Sequence, residues 1–435
     1  MRTHLDTDSA SSLESKTTPF IGSFQVHRFS FPNGLKLLVV EDHTSPTFAY
    51  NTWFRVGSRD EEVGRTGLAH LFEHMMFKET KNLKDGEFDH ILEAAGAEGE
   101  NAFTNRDYTA YVQELPKERL ELITKLEADR MQNLVVDEKN FKTEREVVQN
   151  ERRFRTENNP DGKMFAELFD IAFIKHPYHW PVIGYQEDLN RMTAEDAYRF
   201  YKKLYDPSRA TVIVCGDVEP KEVYKIVEKF YSKIPTQSPP LATFTPDPAQ
   251  VSSRHRVVKL NIQVEKLLLG YHIPEITHPD IPALQVVQIL LGGGKSSRLY
   301  RSLVETGIAT SAEAEAMDDK DPTLMLISVN LQKGKKAAHA ESIVLKELQN
   351  LSKELISDNE LQRIKNKISF GFYEGLNSNS QRARFLGQQE TLAGDYEIGM
   401  KIFDKSLKIS ALDVREAIKK YFTQNNRSVI TGVSK

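Results

Sequence analysis

His70, Glu73 and His74 are the residues whose types and spacing could do chemistry. They lie in Gly67-Leu-Ala-His-Leu-Phe-Glu-His-Met-Met-Phe77. That stretch has small and apolar residues and no Pro, which predicts a helix. On a helix, side chains four apart project from one face. Two imidazoles placed in this way can hold one divalent cation, and zinc suits them best. Glu73 lies three residues after His70, on the same side, where a carboxylate can take a proton from a metal-bound water. With twelve His in the chain, the pattern arises by chance in roughly a few per cent of such sequences. On the motif alone, two unrelated surface histidines on an amphipathic helix stay open as a reading.

A catalytic zinc site takes three protein ligands and a water. Glu144-Arg-Glu-Val-Val-Gln-Asn-Glu151-Arg-Arg reads as a second helix, with Glu144 and Glu151 seven apart on one face. Charged helix faces are normally just solvated. This one gains weight only in combination with the histidine pair.

With these residues the chain resembles the pitrilysin/insulinase family of zinc metallopeptidases, the H-x-x-E-H inverzincins. In size it is similar to the short-chain, processing-peptidase-like branch. The likeness runs through Phe31-Pro-Asn-Gly-Leu-Lys-Leu, Phe54-Arg-Val-Gly-Ser-Arg-Asp-Glu, the histidine motif and Asn101-Ala-Phe-Thr104. It continues through His176-Pro-Tyr178, Val214-Cys-Gly-Asp-Val218 and Leu291-Gly-Gly-Gly-Lys-Ser-Ser-Arg-Leu-Tyr300.

The resemblance implies one Zn2+ per chain, held by His70, His74 and a Glu about 77 residues after the second His, which falls on Glu151. Glu144 supports the site from behind the ligands, and Glu73 activates a zinc-bound water. Asn101, Ala102, Phe103 and Thr104 become an edge strand onto which a substrate peptide adds. The implied activity is zinc-dependent endopeptidase action on peptides or unfolded segments in an enclosed chamber. Relatives that supply transition-state contacts from the second half carry an Arg with a Tyr seven residues later. Alignment puts Arg301 at the first position and Ile308, not Tyr, at the second. A register shifted by two meets Leu303 and Thr310. The missing phenol implies the zinc-bearing subunit of a heterodimer, with a homologous partner chain supplying the Arg/Tyr pair. The competing class is a non-enzymatic core or scaffold subunit of a larger complex.

The elements that must position these residues follow from the rest of the chain. At 435 residues, 39% hydrophobic and 28% charged, it is long enough for two domains with their own cores. A net charge of −4 gives no bulk attraction to nucleic acid or anionic membrane. The single Cys215 excludes an intramolecular disulfide and a Cys-rich metal site, and no apolar run is long enough to span a membrane. Met1–Lys16 has neither the apolar core of a signal peptide nor the basic, acid-free character of a mitochondrial presequence. The expected location is therefore cytoplasmic, or periplasmic if an export signal has been removed.

The expected fold is α+β: two homologous α/β-sandwich domains, each a mixed sheet flanked by helices, facing each other across a cavity. Residues 1–20 are expected to be a flexible tail, 21–235 the zinc-binding domain, 236–252 a Pro-rich linker and 253–435 a homologous non-catalytic domain. Strands are predicted at Leu35–Val40, Phe48–Val56 and Tyr108–Gln113. A buried strand, Arg209–Cys215, is predicted to close the first unit, and residues 115–156 have helical periodicity. Internal repetition supports two related domains. Thr193-Ala-Glu-Asp-Ala-Tyr-Arg-Phe-Tyr-Lys-Lys returns about 217 residues on as Ser410-Ala-Leu-Asp-Val-Arg-Glu-Ala-Ile-Lys-Lys. The second half lacks H-x-x-E-H. Gly292-Gly-Gly-Lys-Ser-Ser is not a phosphate loop, since Ile289 stands where a Gly is needed. Its glycines are expected to break an apolar helix. Pro177 interrupts His176-Pro-Tyr-His179-Trp180, which is therefore read as a structural loop.

Overall fold

The computed structural model describes residues 15–237, 240–241 and 243–435. Seven strands form the first sheet: β1 (Ser15–Pro19), β2 (Gln25–Ser30), β3 (Lys36–Glu41), β4 (Thr47–Phe54), β5 (Glu98–Thr104), β6 (Thr109–Pro116) and β7 (Ala210–Gly216). Five form the second: β8 (Arg254–Leu260), β9 (Lys266–Ile273), β10 (Ala309–Ala316), β11 (Thr323–Leu331) and β12 (Arg427–Ser434). The spatial orders are β1-β2-β3-β7-β4-β6-β5 and β10-β11-β9-β12-β8. Read from β3 and from β8, the two sheets have the same topology. β7 pairs parallel with β3 and antiparallel with β4, as β12 does with β8 and β9.

The central strands are apolar on both faces because both faces are buried. Leu37, Val39, Val212 and Val214 point into one core together with Leu68, Leu71, Phe72 and Met75. Their neighbours Leu38, Val40, Ile213 and Cys215 point to the opposite face and another core, following the period of two.

The halves exchange helices. Pro160–Ala172, from the first half, lays Met164, Leu168 and Phe169 on Val258, Leu268 and Ile430 of the second sheet. Asn379–Ala393, from the second half, packs on β4 and β7 of the first. Gly387 makes that approach possible, since a Cβ there would sit 2.1 Å from the Trp53 indole nitrogen. Buried ion pairs reinforce the junction. Glu390 takes Arg28 at 2.7 Å and Lys36 at 2.6 Å, and Arg382 pairs with Asp42.

One expectation needs correction. Residues 15–20 are not tail: Ser15–Pro19 pair with β2, and Phe20 is buried. The remainder of the expected tail, residues 1–14, lies outside the described residues. The buried strand predicted at Arg209–Cys215 forms as β7, inside the sheet, and the helix Pro220–Tyr231 follows it. Region 115–156, expected to have helical periodicity, is largely helical. It holds the end of β6, the helices Leu120–Asn133 and Glu138–Arg152, and the start of a π-helical turn, Arg153–Glu157. Gly293 ends the apolar helix Ile281–Gly292. His176 caps its turn, accepting from Tyr178 N–H at 3.2 Å. Among the described residues no helix is long and apolar enough to cross a membrane.

Candidate metal centre and active site

The helix Leu68–Met75 carries the motif. Gly67 starts it at φ +98°, a conformation open to glycine, with no room for a Cβ against the Ile183 carbonyl oxygen. The buried Glu61 carboxylate accepts from the N–H groups of Gly67 (2.9 Å) and Ala69 (2.8 Å). It thereby satisfies donors that a helix start leaves orphaned. Asp188 fixes the preceding residue through Thr66 N–H (3.1 Å) and Oγ1 (2.7 Å). Leu68, Leu71, Phe72 and Met75 bury one side of the helix, and the other presents His70, Glu73 and His74.

The second helix, Glu138–Arg152, begins at Asp137, whose side chain accepts from Asn140 N–H at 2.8 Å. Phe141 and Val148 anchor it in the core while Glu144 and Glu151 face the histidines. Glu151 Oε2 lies 3.2 Å from His74 Nε2 and 3.7 Å from His70 Nε2. One donor atom from each of the three residues fits within a 4.8 Å span. His70 Nδ1 is buried with no hydrogen-bond partner among the described residues.

This donor set fits zinc. Ligands about 2.1 Å from a tetrahedral ion stand about 3.4 Å apart, and the two measured separations bracket that value. Glu144 Oε2 is 3.6 Å from His74 Nδ1, and Lys78 Nζ holds Glu144 Oε1 at 2.9 Å. Arg155 Nε holds the other Glu151 oxygen at 2.8 Å.

The electrostatics separate these groups. Burial pushes His70 down to about 4 and keeps it neutral. Burial also works against the charged form of His74, but the adjacent Glu144 and Glu151 carboxylates outweigh it and raise the ring to about 9. Burial would raise Glu144 and Glu151, and the adjacent His74 ring turns both downward, helped at Glu144 by Lys78. Burial raises Glu73, partly offset by a hydrogen bond with Thr104.

Among the described residues strand β5 pairs only with β6, including Asn101↔Val112 to Thr104↔Thr109, so its outer edge meets no other described strand. The helix Leu68–Met75 packs against β5, which sets that edge beside Glu73. Phe103 meets Trp53 edge-on at 5.4 Å.

His70, Glu73, His74, Glu144 and Glu151 therefore come together, with Asn101–Thr104 alongside. Arg301 is exposed on the π-helical turn Tyr300–Val304, and no ion pair or hydrogen bond joins its side chain to that cluster. Leu303, the alternative register, is fully buried, and Ile308 packs against the core. Sequence reasoning missed Lys78 and Arg155, which stand four residues after His74 and Glu151, just past the ends of the helices that carry those two residues. It also missed Glu61 and Asp188, which no local spacing signals.

Comparison with known proteins agrees with this geometry. Residues 36–185 match the insulinase (peptidase family M16) model, and residues 191–368 match the peptidase M16 inactive domain. The zinc protease PqqE of Helicobacter pylori is 32% identical over 92% of this chain and 90% of its own length. A probable mitochondrial-processing peptidase subunit beta of Arabidopsis thaliana is 25% identical over 90% of this chain and 75% of its own. The crystal structure of a protease from Helicobacter pylori superposes with a TM-score of 0.90 at 30% identity, covering 97% of this chain and 100% of that one. The chain belongs to the insulinase family, peptidase family M16, as a zinc metallopeptidase of that family.

Proposed function

We propose that the chain is a zinc-dependent endopeptidase that hydrolyses peptides or unfolded polypeptide segments in an enclosed chamber. We further propose that it is the zinc-bearing subunit of a heterodimer. The convergence of His70, His74 and Glu151 on one small volume carries the reading. In it these three residues hold one zinc ion, and Glu144 orients His74 from behind. When bound, zinc supplies Lewis acidity that polarises a peptide carbonyl and acidifies water at the site.

Glu73 takes the proton from the attacking water and hands it to the leaving amine. A buried carboxylate with a raised affinity for protons suits both steps. Thr104 keeps Glu73 aimed and ties it to the strand that receives substrate. A peptide adding to the free edge of β5 along Asn101–Thr104 is held by its backbone, so many sequences can be accepted.

No phenol stands seven residues after Arg301, so this chain leaves a developing oxyanion short of one donor. The partner supplies the Arg and Tyr. The resemblance to a processing-peptidase subunit supports that division of labour.

The test is zinc content and peptide hydrolysis of the purified chain, alone and with candidate homologous partners. The expected result is about one zinc per chain, slow cleavage alone, and a rise of about 10²- to 10³-fold with the partner, the worth of one oxyanion donor. High activity of the homogeneous chain alone would refute the heterodimer. Absence of zinc together with absence of cleavage under every pairing would refute the peptidase assignment.

A further inference from the structure

A cavity of about 900 Å3 opens where the two halves meet the segment that joins them. It shares no residue with the His70–Glu151 cluster. Phe173 of the first half, Phe244 of the joining segment, and Ile273, Pro274, Pro322 and Tyr421 of the second half give it an apolar wall. Volume and lining are those of a small-molecule site.

Most of the charge in the wall is already matched. Arg59 pairs with Asp107 at 3.0 Å and Asp321 at 2.7 Å, and His176 reaches Asp321 at 2.8 Å. Lys420 pairs with Asp280 at 2.6 Å. Asp247 accepts from the N–H groups of Ile174, Lys175 and His176 at 2.6, 2.7 and 2.7 Å, which straps the joining segment across the cavity.

Lys320 is different. It lines the cavity and is half-buried, and among the described residues no carboxylate lies within 4.0 Å of its ammonium. Burial and then the neighbouring Arg59 work against its charge, and the more distant Asp107 and Asp321 offset them only in part. A neutral ligand would leave that ammonium uncompensated, and a cationic one would be repelled. A carboxylate on an apolar body would satisfy both the wall and the charge. A bulkier, more highly charged anion would gain little from one ammonium while facing Asp321.

We propose that this cavity binds small amphipathic carboxylates, with Lys320 as the counter-ion. The carboxylate belongs either to a free aryl or branched aliphatic acid or to the C-terminus of a short apolar peptide. Titration calorimetry on the full chain tests this with 4-phenylbutyrate against 4-phenylbutanol, and with N-acetyl-Phe-Leu as free acid against its amide.

At least one acid should bind saturably, about tenfold or more tighter than its neutral counterpart. Lys320→Met should abolish that preference, and Ala249→Trp, filling the cavity from the joining segment, should remove binding. Binding of phenylbutyrate alone assigns the site to free acids, and binding of the peptide acid alone assigns it to peptide C-termini. Equal binding of acid and neutral probe, no saturable acid binding, or acid binding that survives Ala249→Trp would overturn the proposal. Should Lys320→Met fail to fold, the wild-type acid and neutral pair decides on its own.

Discussion

Replacing Glu144 with Gln isolates the contribution of a carboxylate that touches a proposed ligand without being one. Glu144 is buried, with one oxygen 3.6 Å from His74 Nδ1 and the other 2.9 Å from Lys78 Nζ. Gln keeps the volume but has a single acceptor oxygen. If that oxygen stays on His74, the amide N–H2 faces the Lys78 ammonium, donor against donor. If it turns to Lys78, the amide faces the imidazole N–H. Either way one contact is lost, and so is the negative charge that favours a ring with Nε2 directed at Glu151. Loss of such a supporting partner costs about 10- to 100-fold in metal affinity. The 3.6 Å separation is longer than a full hydrogen bond, about 2.7–3.2 Å. The loss should therefore sit near tenfold, or about 1.4 kcal/mol. Zinc competition against a chelator measures it, with kcat per bound zinc expected to stay close to wild type. Unchanged affinity would show that Glu144 does not orient His74. Complete loss of zinc, the result expected for Glu151→Ala, would make Glu144 a direct ligand and refute the assigned roles.

Gly387→Ala should test the packing of the second half on β4. Its Cβ would drive into Trp53, costing about 1–3 kcal/mol for overpacking against a gain of about 1 kcal/mol from helix propensity. A lower melting temperature is expected, with a raised KM because Trp53 is pressed toward Phe103 on β5; an unchanged KM would uncouple that packing from substrate. Asp319, buried beside Asp107 and Asp318, is raised by burial to about 7, against about 3.9 for an unfolded carboxyl. Its protonated form stabilises the fold fully below about pH 4, and that contribution fades as pH rises through about 7. Asp319→Asn should therefore lose less stability than wild type between pH 5 and 8, and parallel melting curves would contradict this. Ile308→Tyr, assayed without a partner, should raise the rate of the isolated chain if Arg301 and position 308 are in the assumed register, and no change would reject that register.

The candidate cluster was legible because its signals are local. Helical spacing alone aligns His70 with His74 and Glu144 with Glu151. The resemblance, not spacing, then chose between the two glutamates. The repeat was legible for the same reason. Thr193 with Asp196 and Ser410 with Asp413 form matching capping boxes, and each helix they open leads into a parallel-paired inner strand.

What stayed hidden was long-range. An apolar helix face does not state which sheet it will cover, so the exchange of Pro160–Ala172 and Asn379–Ala393 between halves left no mark in composition. Glu61 reads as one more surface acid until the fold places it under Gly67 and Ala69. Ser15–Pro19 is polar and short, an ordinary tail by composition, and becomes a strand only because β2 offers an edge.

The central claim is that a metal-holding triad works with Glu73 as the proton carrier, and Glu73→Gln tests it most directly. The amide cannot take a proton but leaves His70, His74 and Glu151 intact. Measured in the active assembly, the variant should keep about one zinc per chain and lose peptide turnover by at least about 10²-fold. Full zinc content with near-normal turnover would contradict the account.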